Sequence, residues 1–239
     1  RLLEAEKQKL AELIRTRIET RLPAAYLVKR AYIHGVSFYV DERVIVPRSY
    51  IGELISTGIF GGDEAPLIED VTQVTSVLDL CTGSGCLAIM LADAFPNARI
   101  DAIDLSTDAL EVAKKNVADY ELQDRITLHH SDLYDKLPNK KYDLIVTNPP
   151  YVNSASMAKL PAEYQAEPQM ALAGGNDGMD LVRTIVAGAK ARLNPGGILV
   201  VEIGNEFAYA EAAFADYELT WLSTSAGDEQ VFLLNADQL

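Results

Sequence analysis

From residue 76 onward, short aliphatic runs alternate with amphipathic stretches, and nothing else in the chain limits its fold so tightly. "SVLDLC", "RIDAID", "ITLHH", "YDLIVT" and "ILVVEI" read as strands. Residues 84–95, 106–119 and 177–193 read as helices, the second opened by a Ser106 or Thr107 cap and the third stopped by "NPGG". A further helix is predicted near residues 205–215. Strands and helices in alternation build a parallel sheet covered on both faces. "YELTWLS" and "QVFLLN", joined by "TSAGDE" with no helix between them, require one antiparallel strand. The expected fold is therefore a doubly wound, Rossmann-like α/β sheet. The sequence shows no internal repeat and no low-complexity tract.

Upstream the pattern changes. Leu3, Leu10, Ile14, Ile18 and Leu22 form an apolar stripe over residues 1–22, with Leu13 beside them, and Pro23 ends that helix. A stripe this long is expected to pack on something, as the remnant of a helical subdomain. Residues 31–46 read as a β-hairpin turning at Gly35, and Pro47 and Arg48 lead into a helix over "SYIGELIST". Residues 61–70 read as a surface loop. With 239 residues, 49% of them hydrophobic, one large domain with a small appendage is expected. The division falls at residues 1–46, a helical remnant and hairpin on the substrate side, and residues 47–239, the main domain.

Several function classes drop out on composition. No apolar run reaches the ~20 residues of a membrane span, and no charged-then-apolar leader opens the chain. Arg1 rather than Met stands first, so a native beginning is expected upstream. Cys81 and Cys86 fall in one strand-turn-helix segment, which argues against a disulfide framework. With no clustered histidines they form no zinc site, and a reducing cytoplasm is the expected compartment. The net charge is −14, from 35 acidic and 21 basic residues. So acidic a chain repels phosphate backbones, so direct nucleic-acid binding is not expected; the charge serves either solubility or the attraction of a partner that is itself basic.

"LDLCTGSGCLA" places Gly83 and Gly85 between a strand and a helix N-terminus, where a ligand can press against bare backbone and free amides. Asp79 lies within the strand. Asp104 ends the next strand, 19 residues after Gly85, where a carboxylate can accept both hydroxyls of a ribose. Asp132 ends the third strand and could accept a hydrogen bond from an adenine amino group.

The fourth strand ends in "NPPY", residues 148–151. A planar amide nitrogen is a poor nucleophile because its lone pair is delocalised. The Asn148 side-chain oxygen and the Pro149 carbonyl are two acceptors that could hold both of its N–H groups. The fixed φ of Pro149 and Pro150 keeps those acceptors in place, and Tyr151 can pack over the flat group. Such contacts would aim the nitrogen and favour the charge it develops during attack.

Together these residues resemble the class I S-adenosylmethionine-dependent methyltransferases: "LDLCTGSG" is similar to their cofactor loop, and "NPPY" to the signature of members that methylate planar nitrogens. The resemblance covers residues 47–239 and implies a seven-stranded sheet with one antiparallel strand. "FYVDERVIVPRSYIGELI", "NPPYV" and "LPAEYQAEPQMALAGGNDGMDLVR" narrow it to the protein-glutamine methyltransferases. The release-factor branch has "PRPETE" where this chain has "PRSYIGEL", and the match is closer to the branch that methylates a glutamine of large-subunit ribosomal protein L-three. That family implies that Asn148, Pro149, Pro150 and Tyr151 hold the glutamine. It implies that Cys81, Thr82, Gly83, Ser84, Gly85, Asp104, Leu105, Leu133 and Asn148 line the site of S-adenosylmethionine, with S-adenosylhomocysteine as product. It also gives the acidic charge a use, attracting a basic ribosomal protein before assembly buries it. The alternatives are a release-factor enzyme, a nucleic-acid amino-group methyltransferase, a nicotinamide-dependent oxidoreductase and a non-catalytic assembly factor with the same fold.

Overall fold

A computed structural model describes residues 2–62 and 66–239; residues 63–65, inside the predicted 61–70 loop, lie outside the described residues. Helices α1 (Glu4–Thr20) and α2 (Ala24–Val28) precede a hairpin of β1 (Ala31–Ile33) and β2 (Val36–Phe38), then α3 (Tyr50–Ser56). The sheet-forming part runs β3 (Ser76–Leu80), α4 (Cys86–Ala94), β4 (Arg99–Asp104), α5 (Thr107–Asp119), β5 (Ile126–His130) and β6 (Tyr142–Thr147). It continues with α6 (Ser154–Met157), α7 (Asp180–Arg192), β7 (Leu193–Glu202), α8 (Phe207–Ala213), β8 (Thr220–Trp221) and β9 (Val231–Asn235).

Seven strands form one sheet in the order β5-β4-β3-β6-β7-β9-β8. The first five are parallel, and β9 runs antiparallel to both β7 and β8. Side chains alternate across the sheet, so each face has its own apolar layer. Val77, Leu144, Val146 and Val200 pack with Ile51 and Leu54 of α3 and Leu87 and Leu91 of α4. On the other face Leu78, Ile145, Leu199 and Val201 pack with Val182, Ile185 and Val186 of α7. Each fully buried aliphatic side chain here contributes about 1.5–3 kcal/mol. The strand order reverses between β3 and β6, and the cleft above their carboxyl ends is where such sheets take ligands.

Three expectations are corrected. The hairpin closes at Phe38 rather than running to residue 46. Beyond it the chain turns at Asp41, whose carboxylate takes both Nε and Nη2 of Arg43, at 2.9 and 2.7 Å. Val40 and Val44 are then buried with Tyr26 against Ala109 and Val112 of α5, and the Tyr26 hydroxyl donates to the Val44 carbonyl. α1 forms, but it buries no residue, and Leu3, Leu10, Ile14 and Ile18 are exposed. Its side-chain links to the rest of the chain are Arg17 and Arg21, which both reach Glu163 Oε1, at 2.9 and 2.6 Å. Finally, α7 begins at Asp180 rather than 177 and ends at Arg192, and "NPGG" lies in the start of β7, where the register with β6 slips between Tyr142 and Leu144. No helix among the described residues is long and apolar enough to cross a membrane. Nor do three or more His, Cys, Asp or Glu among them gather to hold a metal ion.

Candidate active site

The turn after β3 is built from its own backbone. Thr82 N–H donates to the Ile103 carbonyl of β4 at 2.8 Å, and Gly85 N–H to Thr82 O at 2.9 Å. Cys81, Gly83 and Gly85 all take positive φ, 60°, 55° and 78°. A side chain on Gly83 would meet nothing within 4 Å, so its backbone faces open space, whereas a Cβ on Gly85 would lie 3.2 Å from that of Ala113. Gly83 thus leaves room for a ligand and Gly85 lets α4 approach α5. The Asp104 carboxylate holds the turn from the side: Oδ2 accepts from Gly83 N–H and Oδ1 from Ser106 N–H, both at 2.8 Å. Burial pushes the Asp104 pKa up against those hydrogen bonds.

A cavity of about 210 Å³ opens above this turn. Of the predicted cofactor residues, Cys81, Thr82, Gly83, Ser84, Asp104, Leu105, Asp132, Leu133 and Asn148 line it. Leu133, like Cys81, holds positive φ without being glycine, at 43°, and such strained backbone gathers at ligand sites. Leu105 and Met170 expose aliphatic surface into the cavity. Gly85 and Asp79 stand behind the lining. Asp79 is fully buried, and its Oδ2 accepts from Thr82 Oγ1 at 2.6 Å and Ala88 N–H at 3.1 Å. Burial raises its carboxyl to about 7, and its Oδ1 has no partner among the described residues. Burial also raises both thiols, that of Cys86 to about 12, which disfavours their thiolate forms.

A second cavity, about 610 Å³, lies across Asn148 from the first. Asn148 lines both, Pro149 and Tyr151 line the second, and Pro150 lines the first. Asn148 Nδ2 donates to the Arg48 carbonyl at 3.4 Å, which turns its amide oxygen free for another donor. Three glycines clasp Tyr151: a Cβ on Gly174 would lie 2.6 Å from Tyr151 Cα, one on Gly178 2.1 Å from its carbonyl oxygen, and one on Gly204 2.6 Å from its ring. The Tyr151 hydroxyl donates toward Glu202 Oε1 at 3.4 Å. Arg48 lines both cavities, pairs twice with Glu167, at 3.0 and 2.8 Å, and lies 4.5 Å from the centre of the Tyr164 ring. Burial opposes the Arg48 charge, but the Glu167 pair outweighs it and raises its pKa.

Three polar residues here carry no role in the sequence reading. Asn116 of α5 is buried; its amide takes Tyr39 N–H at 2.8 Å and donates to Ser84 O at 2.8 Å, which ties the hairpin exit to the cofactor loop. Glu167 holds Arg48. Glu202 ends β7. A glutamate closing the run "ILVVE" is the one available signal for the last, since a charged group seldom caps a buried strand without partners.

The chain is similar to known proteins over its whole length. A family described as MTS, methyltransferase small domain, matches residues 64–164. A ribosomal protein uL3 glutamine methyltransferase of Burkholderia pseudomallei (strain K96243) is 56% identical over 246 residues, covering 100% of this chain and 78% of that protein. One from Neisseria gonorrhoeae (strain ATCC 700825 / FA 1090) is 51% identical, again over 100% of this chain and 78% of the relative. Among solved structures, the hMettl16 catalytic domain in complex with MAT2A 3'UTR hairpin 6 superposes with a TM-score of 0.60 at 15% identity, over 92% of this chain and 77% of that one. A ribosomal protein L11 methylase from Lactobacillus delbrueckii subsp. bulgaricus gives 0.54 at 19% identity, over 81% and 82%. At these identities the two structures speak to the class I methyltransferase fold alone. The full-length relatives go further: this chain belongs to the ribosomal protein uL3 glutamine methyltransferase family.

Proposed function

We propose that this enzyme transfers a methyl group from S-adenosylmethionine to the side-chain amide nitrogen of a glutamine in ribosomal protein uL3. The observation that carries the reading is Asn148, the one "NPPY" residue that faces both cavities. The first cavity fits the cofactor. Its floor is the bare backbone at Gly83, its aliphatic patches at Leu105 and Met170 suit a flat base, and Asp104 and Asp132 offer acceptors to ribose and amino groups. The cofactor, when bound, supplies a methyl group on a positively charged sulfur with a good leaving group.

The chain's own part is to aim the nucleophile. Asn148 Oδ1 and the Pro149 carbonyl accept the two N–H groups of the glutamine amide and concentrate electron density on its nitrogen. Arg48 O accepts from the other end of the Asn148 amide at 3.4 Å, which favours the orientation that presents the oxygen. The Tyr151 ring, packed on Gly204 with its backbone held by Gly174 and Gly178, forms the wall on which the flat group rests. The product nitrogen becomes acidic as its new bond forms, and its proton passes to a carbonyl or water. Within residues 1–46 the hairpin serves the substrate side, since Tyr32, Ile33 and His34 line the second cavity, while Arg43 and Val44 beyond it line the first. A net charge of −14 suits a basic, RNA-binding substrate met in the cytoplasm before assembly.

The test offers free uL3, a peptide release factor and RNA to the enzyme with labelled cofactor. The expected result is one added methylene, mapped by mass spectrometry to a glutamine of uL3. Label in the release factor or in RNA, with none in uL3, would overturn the reading.

A further inference from the structure

Neither the "NPPY" motif nor the glycine loop accounts for Glu202. It stands at the carboxyl end of β7, 1% exposed, and its two oxygens serve different segments. Oε2 accepts from Ser49 Oγ at 2.6 Å and from Ile51 N–H at 3.2 Å. Oε1 accepts from the Tyr151 hydroxyl at 3.4 Å. Ser49 is itself the N-cap of α3, its Oγ accepting from Gly52 N–H at 3.4 Å. One carboxylate thus joins the start of α3 to the "NPPY" tyrosine, and both segments line the second cavity.

Burying a carboxylate costs several kcal/mol unless donors surround it, and apolar residues of the same size often do as well for stability. If packing were all that mattered here, a leucine would fill the space. Glu202 also lines the cavity that receives the substrate.

We propose that Glu202 is a positioning residue for methyl transfer: it sets the Tyr151 ring against the start of α3, and so fixes where an incoming carboxamide rests relative to Asn148. This rests on the reading that the second cavity takes the substrate glutamine. Glu202 does not touch the reacting atoms in this scheme. It acts through the Tyr151 hydroxyl.

Burial, countered by the hydrogen bonds from Ser49, Ile51 and Tyr151, raises the Glu202 carboxyl to about 7. The charged and titratable groups around it are Tyr50 and Tyr151 from the two segments it joins, Arg48, and Glu53, Glu206 and His34 on the cavity wall. Glu167 neutralises Arg48, and Asn153 holds Glu206 at 2.8 Å. The sign follows from the acceptor chemistry. Ionised, Glu202 is an acceptor only, and the Tyr151 contact becomes charge-assisted and firm. Protonated, it accepts more weakly. Substrate affinity therefore rises as pH climbs through about 7.

The test uses Glu202→Gln, Tyr151→Phe and the double variant. Calorimetry measures the affinity of each for S-adenosylhomocysteine, and for free uL3 in its presence, across about pH 6 to 8, the span over which such a carboxyl titrates. Steady-state assays separate kcat from KM. Either single variant is expected to bind S-adenosylhomocysteine as wild type does, to weaken uL3 binding about tenfold, and to lose the rise near neutral pH. The double variant should be no worse than either alone. Additive losses, a pH dependence surviving in Glu202→Gln, or wild-type uL3 affinity in Tyr151→Phe would each overturn the proposal. Because Tyr151→Phe removes a single oxygen, it decides the matter even if Glu202→Gln fails to fold. Wild-type enzyme that neither binds nor methylates uL3 would overturn the acceptor reading itself, an outcome distinct from normal methylation with unmoved variants.

Discussion

The two cavities that meet at Asn148 are made differently. The first cavity, proposed for the cofactor, has its floor on the turns that directly follow β3, β4, β5 and β6, with residues 43–49 and 168–173 closing over them. The hydrogen bonds that shape the floor are mostly between a strand end and its neighbour, as from Thr82 to Ile103 or from Gly83 to Asp104. The substrate cavity gathers residues from 32–34, 45–53, 148–172, 202–206 and 225. Its ties span long separations: Ser49 to Glu202 is 153 residues apart, Arg48 to Glu167 is 119. The floor of the first is therefore a property of the sheet edge, and the second belongs almost wholly to the way this chain lays its appendages over that edge. Substitutions should separate the two, affecting cofactor affinity on one side and acceptor handling on the other.

Asn148 is where the separation should be hardest to keep, because it faces both sides. Asn148→Ala removes one of the two acceptors for the glutamine amide, and turnover should fall by more than about 100-fold, the loss seen when one such preorganised group is deleted. Affinity for S-adenosylhomocysteine should fall far less. Single-turnover rates and calorimetry on the same preparation measure both. Near-normal turnover would remove the acceptor role, and an equal collapse of cofactor affinity would make Asn148 part of the first cavity alone.

Asp104→Ala tests the cofactor side by itself. It deletes an acceptor from the cavity and releases the Gly83 and Ser106 amides that shape the turn, and contacts of this kind are each worth about 1.5–3 kcal/mol. Cofactor affinity should fall about tenfold or more in a calorimetric titration, with KM for uL3 little changed at saturating cofactor. Unchanged affinity would mean that the ribose lies elsewhere.

On the substrate side a smaller effect is expected from Glu163→Gln. Arg17 of α1 and Arg21 just past its end converge on this carboxylate, and the next residue, Tyr164, lies against Arg48 on the cavity wall. Arg21 is open to solvent and Arg17 and Glu163 keep part of their surface in water, so the tether is worth little in stability. What it sets is the position of α1 over the substrate side. KM for uL3 should rise a few-fold, with cofactor affinity and melting temperature unmoved, and the effect should vanish at high salt because the pairs are already screened there. No change in KM at low salt would detach α1 from substrate handling.

The same contrast explains what could be read from residues alone. The strands, the order of the sheet-forming elements, the glycine turn and Asn148 were legible because each is a local pattern with a local cause: β-branched runs, a turn needing φ above zero, a polar amide at a strand end. The hairpin was overextended because Tyr39 and Val40 favour strands by type, while the Asp41–Arg43 turn and burial against α5 set their actual path. Glu202, Glu167 and Asn116 were missed because a buried polar residue shows its purpose only through partners brought near by folding. The glycines at 174, 178 and 204 likewise read as loop residues until Tyr151 is seen pressed between them.

Cys81 gives the smallest expected effect and the finest test of the cofactor side. Its φ of 60° lies in the left-handed region, where a side chain costs about 1–2 kcal/mol relative to glycine. Cys81→Gly relieves that strain. It also loosens the unfolded chain by about 0.5–1 kcal/mol and removes a partly buried thiol packed on the α7 face of the sheet. The terms nearly cancel, so chemical denaturation should show a stability change under about 1 kcal/mol. Cofactor affinity should also hold, because the turn is shaped by backbone hydrogen bonds and by Asp104. A drop in affinity without a drop in stability would show instead that the Cys81 side chain itself touches the cofactor, and that this cavity is less a generic property of the sheet edge than its hydrogen bonding suggests.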